Sequence, residues 1–316
     1  MMRMIPLAAA AVLALQAPAV AQQGFGPLLT PQQAAEAVAT LAPLFLDIRV
    51  AEEGAPDPYT AGHIPGAVPA PYGLFRGPKE SPGSLVPADR LTEVLRGLGV
   101  TQDRPTVVVH AGTDATDFGA AARVYWTLKS SGVSQLAIIN GGMRAWEQAA
   151  LPLDTTPVTP APSDITVTFA DDWLATREDV LDVVEGRASA KLIDARPQEF
   201  WEGKKAAPAA ARPGTLPQSQ YFTHDRWFGD NPALIDAGRA QSLAAQAGYA
   251  GGEQLVSFCN TGHWAATNWF ALSELAGVEN VKLYPESMVG WSNADLPMEN
   301  VPGALSNLWH QIKGVF

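Results

Sequence analysis

Residues 254–277 read QLVSFCNTGHWAATNWFALSELAG. Leu255, Val256 and Phe258 form a short apolar run of the kind that makes a buried strand. A tight polar turn begins at Cys259, and a helix follows to Gly277, a residue favoured just past a helix C-terminus. Strand, loop and helix in this order place Cys259 at the carboxyl end of a strand, where open α/β sheets bind ligands. Loop amides and the free N–H groups of a helix start point into such a turn and favour an anion there. Cys259 is the only cysteine in 316 residues, and a thiol so placed is a candidate nucleophile. The plainer alternative is a small buried hydrophobe closing a strand.

Outward from this stretch, the same order of signals occurs twice. In the first half, Thr30-Pro31 opens an alanine-rich helix to Leu41, and then come LFLDIR (44–49), GHIPGAVP (62–69), a helix over 89–98, TVVVH (106–110), a glycine-containing loop and a helix to Lys129. LAII (136–139) and NGGMRAWEQAALPLD (140–154) close that half. In the second half, Thr176 and Asp179 form a capping-box pattern. KLIDAR (191–196) then answers LFLDIR, ARPGTLP (211–217) answers HIPGAVP, QLVSFC answers TVVVH, and VKLYPESMVGWSNADLPME (281–299) answers 136–154. Asp47 lies 99 residues before Trp146, and Asp194 lies 97 before Trp291. Four landmarks in order at matching spacing imply an internal duplication. Strands alternating with helices imply a mostly parallel sheet in each copy, with helices on both faces.

The expected organisation is a domain over 30–154, a proline-rich linker TTPVTPAPS over 155–163, a domain over 164–303 and a tail over 304–316 with apolar residues at helical spacing. Residues 22–29 read as a loose lead-in. Arg3, the apolar run 5–15 and Ala19-Val20-Ala21 resemble a secretory signal peptide over 1–21, which predicts a periplasmic or secreted protein with no membrane attachment after cleavage. One cysteine allows no internal disulfide. At 47% hydrophobic and 17% charged residues the chain supports two full cores. A net charge of −11 disfavours nucleic acid and anionic membrane as partners. One cysteine and scattered histidines argue against a metal site, and no cofactor signal is present.

These residues resemble the tandem-domain rhodanese family, the thiosulfate and 3-mercaptopyruvate sulfurtransferases. The likeness rests on Asp47 with Arg49, Asp194 with Arg196, GHIPGA, the GGxxxW of 141–146 and a cysteine loop in the second half alone. It implies two rhodanese-like domains, the first catalytically silent. It implies a persulfide on Cys259 held by the active loop Asn260, Thr261, Gly262, His263, Trp264 and Ala265, with no cofactor. The partners implied are a small anionic sulfur donor and a thiol or cyanide acceptor. The loop matches neither the basic pattern of the thiosulfate enzymes nor the hydroxyl-bearing pattern of the mercaptopyruvate enzymes. The family's substrate arginine falls at Glu199 or Phe200, which disfavours mercaptopyruvate. Arg196, Arg212 and Lys204 remain as positive candidates for substrate contact, and Lys205 lies beside them. Pro285-Glu286-Ser287 replaces the usual glycine pair.

Within the loop two roles stand for several residues. Asn260 and Thr261 donate hydrogen bonds or cap the helix. Gly262 allows close approach or only a tight turn. His263 assists an anion when protonated or is partly exposed without a task. Trp264 walls a pocket, Trp269 and Phe270 belong to the core, and His63 and His110 are structural. Three rivals can be weighed. A cysteine phosphatase needs an arginine closing the loop, where Trp264 and Ala265 stand. A Cys-His hydrolase needs a better-placed histidine. A sulfur carrier without turnover stays open. The two-domain plan predicts a cleft with Cys259 at its base.

Overall fold

The computed structural model describes residues 25–229 and 233–303; the signal-like segment 1–21 and the tail 304–316 lie outside them. In the first half the elements are β1 (Leu28–Leu29), α1 (Pro31–Leu41), β2 (Leu44–Asp47), α2 (Pro58–Ala61), β3 (Val68–Pro69), α3 (Ala88–Gly97), β4 (Thr106–Val109), α4 (Ala115–Ser130), β5 (Leu136–Ile139) and α5 (Gly142–Gln148). The second half has α6 (Arg177–Val184), β6 (Lys191–Asp194), α7 (Gln198–Trp201), β7 (Gln220–Tyr221), α8 (Ala237–Gln246), β8 (Leu255–Phe258), α9 (Trp264–Phe270), β9 (Val281–Leu283) and α10 (Ser287–Asn293). Each half forms one parallel sheet, in the orders β1-β5-β4-β2-β3 and β7-β6-β8-β9. The unbroken apolar strands fit this, since a parallel strand is covered on both faces.

The duplication extends to individual hydrogen bonds. Arg49 grips Asp47 at 2.6 Å and donates to the Gly62 carbonyl; Arg196 grips Asp194 at 2.6 Å and donates to that of Gly214. The Trp146 indole donates to the Pro152 carbonyl, and that of Trp291 to Pro297. Capping boxes form at Thr30 with Gln33 and at Thr176 with Asp179. One expectation changes. The lead-in is not wholly loose, because Leu28 and Leu29 pair with Ile138 and Ile139 as an edge strand; the second half keeps only a bridge from Leu174 to Leu283 there. The proline-rich segment, expected as a linker, lies against the first half. Val158 N–H donates to the Tyr59 hydroxyl and Ser163 N–H to the Arg96 carbonyl, while Ile165 and Val167 are buried, so the strap adheres to the first half.

The halves share a core. Helix α4 is buried nearly all round, as an element enclosed between a sheet and a second body must be. Phe118 and Tyr125 on α4 meet Phe270 of α9 edge to face at 5.7 and 5.0 Å. Lys129 pairs with Glu274 at 2.8 Å, and the Trp126 indole donates to the Trp173 carbonyl. Helices α4 and α9 thereby fix where the first half meets the loop that begins at Cys259.

Candidate active site

Cys259 follows β8, and the loop 259–263 leads into α9. The start of α10 holds this loop from below: Met288 N–H donates to the Cys259 carbonyl and Val289 N–H to that of Asn260, each at 3.0 Å. Ser287 ties it from within. Its Oγ accepts from the amides of Cys259 at 3.0 Å and Gly262 at 3.2 Å, and donates to the Tyr284 carbonyl at 2.8 Å. Two loop amides therefore converge on a hydroxyl rather than on the sulfur, because a serine stands where the first half has Gly142. Among the described residues, the amides of Asn260, Thr261, His263 and Trp264 have no acceptor.

Asn260 does not cap the helix. Its Oδ1 accepts from Arg196 Nη1 at 3.3 Å, which locks the side chain to the Asp194–Arg196 pair. Gly262 has φ +66°, and a Cβ there would stand 2.6 Å from the Pro285 carbonyl oxygen, so both close approach and turn geometry require glycine. The His263 ring is held at both ends: Nε2 donates to the Thr116 carbonyl at 2.6 Å, leaving Nδ1 to accept from the Tyr72 hydroxyl at 2.9 Å. Burial, then the nearby Arg76 charge, pull its pKa down to about 4 against the opposing Thr116 bond. It is neutral near pH 7, which speaks against the first of the two roles weighed above, protonated assistance to an anion. Trp264 stacks on His224 at 5.0 Å and donates to Thr116 Oγ1. Ala265, Trp269 and Phe270 are fully buried.

The expected open cleft is absent at the cysteine. Cys259 is 1% exposed, because the first half closes over the loop. Gly83 packs on the backbone of Pro285 and Glu286, Gly119 on the His263 ring, and the Tyr72 segment lies above. A groove of about 480 Å³ does run between the halves, but it opens beside Lys129, Trp173 and Glu274, at the other end of α4.

Two arginines of the first half reach the loop. Arg76 Nη2 donates to the Thr261 carbonyl at 2.9 Å, and Arg123 Nη1 to that of Gly262 at 3.3 Å. The three basic candidates taken from the sequence are placed otherwise. Arg196 is spent on Asp194, Gly214 and Asn260, and so positions Asn260. Arg212 is held by Asp295, the Leu296 carbonyl and Met298. Lys204 is 61% exposed and pairs with Glu202. Sequence reasoning missed Arg76, Arg123 and Tyr72. An arginine inside the apolar run of α4 was a usable signal for Arg123, whereas nothing local marks Arg76. His63, stacked on Tyr59 at 3.9 Å, is structural as expected. Among the described residues no cluster of His, Cys, Asp and Glu has the makings of a metal site.

A family model described as a rhodanese-like domain matches residues 30–149 and again 176–294. A relative from Mycolicibacterium smegmatis named "Putative thiosulfate sulfurtransferase" is 27% identical over 236 residues, covering 72% of this chain and 82% of its own. One of the same name from Haloferax volcanii is 29% identical over 241 residues, covering 74% and 82%. Among solved structures, the wild-type structure of EanB superposes with a TM-score of 0.74 at 18% identity, over 86% of this chain and 68% of that one. The anaerobic ergothioneine biosynthesis enzyme from Chlorobium limicola, with trimethyl histidine, matches with a TM-score of 0.74 at 17% identity, over 86% and 69%. At such identity these structures share the fold.

Proposed function

The chain belongs to the rhodanese family, with two rhodanese-like domains in tandem, and from that premise we propose that it is a sulfurtransferase working through a persulfide on Cys259. Sulfur transfer as a class is supported by the family and by the names of its relatives. The donor, the acceptor and the role of each loop residue belong to this proposal.

The Cys259 thiolate attacks the outer sulfur of thiosulfate. A sulfur–sulfur bond forms, the bond to the sulfonate sulfur breaks, and sulfite leaves with the electron pair, giving Cys259-S-S⁻. A thiophile such as cyanide then takes the terminal sulfur as thiocyanate and restores the thiolate; charge balances in both steps. The unspent amides of Asn260, Thr261, His263 and Trp264 are the donors for anionic sulfur. The observation that carries the reading is the placement of the chain's one cysteine at the end of β8, in a loop supported by Ser287 and covered by two guanidinium groups. Thiosulfate and cyanide given to the purified protein should yield thiocyanate, and the Cys259→Ser protein should yield none. Thiocyanate from that variant would contradict the mechanism.

The burial of Cys259 favours a second reading, a sulfane-sulfur carrier that releases its sulfur only to a partner able to open the cover. Persulfide formation without thiocyanate release would select it. Export to the periplasm or medium is proposed on residues 1–21 alone. A mature N-terminus at Gln22 tests it. No described helix is long and apolar enough to cross a membrane.

A further inference from the structure

Four arginines lie close to the strand ends of the two sheets, and they divide into two kinds. Arg49 and Arg196 each meet a carboxylate, Asp47 and Asp194, through paired hydrogen bonds. Arg76 and Arg123 meet carbonyls. Arg76 binds Thr261 O, and Arg123 binds Gly262 O and Gly83 O; among the described residues neither has a carboxylate within ion-pair distance. Their other contacts are ring faces, Tyr72 at 5.3 Å and Trp126 at 5.2 Å. Arg76 Nη1 and Arg123 Nε are buried without a hydrogen-bond partner, and Arg123 is 1% exposed. Burying the Arg123 charge beside a half-buried second one, with no anion, is costly. Burial, then the Arg76 charge, hold the Arg123 pKa down to about 9, while Tyr72 and Cys259 work the other way. The group that would balance these charges is not supplied by the described chain, and the vacant donors lie over the loop of Cys259.

We propose that Arg76 and Arg123, both from the half without a nucleophile, form the anion-recognition site of the Cys259 loop and select an inorganic sulfur oxyanion of thiosulfate type as donor. The inference rests on the sulfur-transfer reading and adds to it the residues that recognise the donor. The vacant Arg76 Nη1 and Arg123 Nε are charge-assisted donors suited to the sulfonate oxygens, and the same charges attend the departing sulfite. Specificity then resides in one half and chemistry in the other.

Thiosulfate binding to the Cys259→Ser protein, measured by titration calorimetry, reads the site without turnover. The expected result is saturable binding that weakens about tenfold when Arg76→Gln is added, as for loss of one charge-assisted hydrogen bond, and that largely recovers with Arg76→Lys. Arg76 is only half-buried, so its variants carry the test if Arg123→Gln does not fold. Unchanged binding in Arg76→Gln, or no saturable binding in Cys259→Ser, overturns the proposal. Persulfide formation by the unsubstituted protein is followed in parallel. Binding through Arg76 with no sulfur gained on Cys259 defeats the transfer reading and leaves the anion site standing. A persulfide formed with the same thiosulfate dependence in Arg76→Gln defeats the anion site alone.

Discussion

In the first half the carboxylate of Asp117 accepts a hydrogen bond from the amide of Gly112 at 2.5 Å, at the place where the second half carries its cysteine loop. The correspondence is direct: Met143 N–H caps the His110 carbonyl as Met288 N–H caps that of Cys259. Asp117 also accepts from the Thr113 amide at 3.2 Å and meets His110 Nδ1 at 2.7 Å. The first loop is thus a nest already filled by the chain's own anion, which gives a physical reason for its expected catalytic silence.

Asp117 is therefore a stabilising residue. Burial pushes its pKa up, but the His110 interaction and the Gly112 and Thr113 amides outweigh this and hold it below 3.8. A carboxylate lowered on folding contributes fully above its unfolded value, and that contribution is lost as pH falls through the folded one. Asp117→Ala should cost roughly 2 kcal/mol at pH 7. In denaturant unfolding, the gap from the unsubstituted protein should narrow below about pH 4; a constant gap would contradict this.

Ser287 occupies a left-handed backbone conformation, φ +52°, that its counterpart Gly142 adopts at φ +57° without strain. Ser287→Gly removes that strain, about 1 kcal/mol, along with the hydroxyl that gathers two loop amides. Ser287→Ala loses the hydroxyl and keeps the strain. Chemical denaturation should rank the alanine variant below the glycine variant by about 1 kcal/mol, with thiocyanate formation reduced in both.

His263 titrates near pH 4 when folded and at 6.5 as the ordinary value. The unfolded chain takes up the proton first, so the fold keeps the full benefit of neutral His263 above about pH 6.5 and loses stability as pH falls toward 4. His263→Gln should flatten stability between pH 7 and pH 5 relative to the unsubstituted protein. The imidazole resonances of His263 should not move until pH approaches 4; movement near 6.5 would refute the doubly bonded ring.

Gly83 sits against the turn that carries Ser287. A Cβ at this position would stand 3.1 Å from Glu286 Cα and still closer to the Pro285 carbonyl. Gly83→Ala should destabilise by about 1–3 kcal/mol, seen as a lower thermal midpoint. It should also loosen the cover and raise the rate at which a neutral thiol reagent reaches Cys259.

The parts of this molecule legible in its sequence are those encoded locally and repeated. LFLDIR and KLIDAR announced buried parallel strands by their apolar runs, and Asp47 with Arg49 and Asp194 with Arg196 sit two residues apart, so each ion pair is written into one strand end. The loop 259–265 was legible for the same reason. What stayed hidden is contact across the halves. Arg76 approaches Thr261 across 185 residues, and no periodicity or spacing carries that information. Arg196, Arg212 and Lys204 lie near the substrate loop in sequence, and each has an acidic partner close by, Asp194, Asp295 and Glu202. The closure over Cys259 likewise depends on how α4 docks on α9, which is a matter of shape rather than pattern.

Mass spectrometry of the intact protein after exposure to thiosulfate, with the modified peptide then mapped, tests the central claim most directly. The predicted result is one added sulfur atom on Cys259, removed by cyanide and never acquired by Cys259→Ser. A folded protein whose Cys259 stays unmodified at saturating thiosulfate would contradict it.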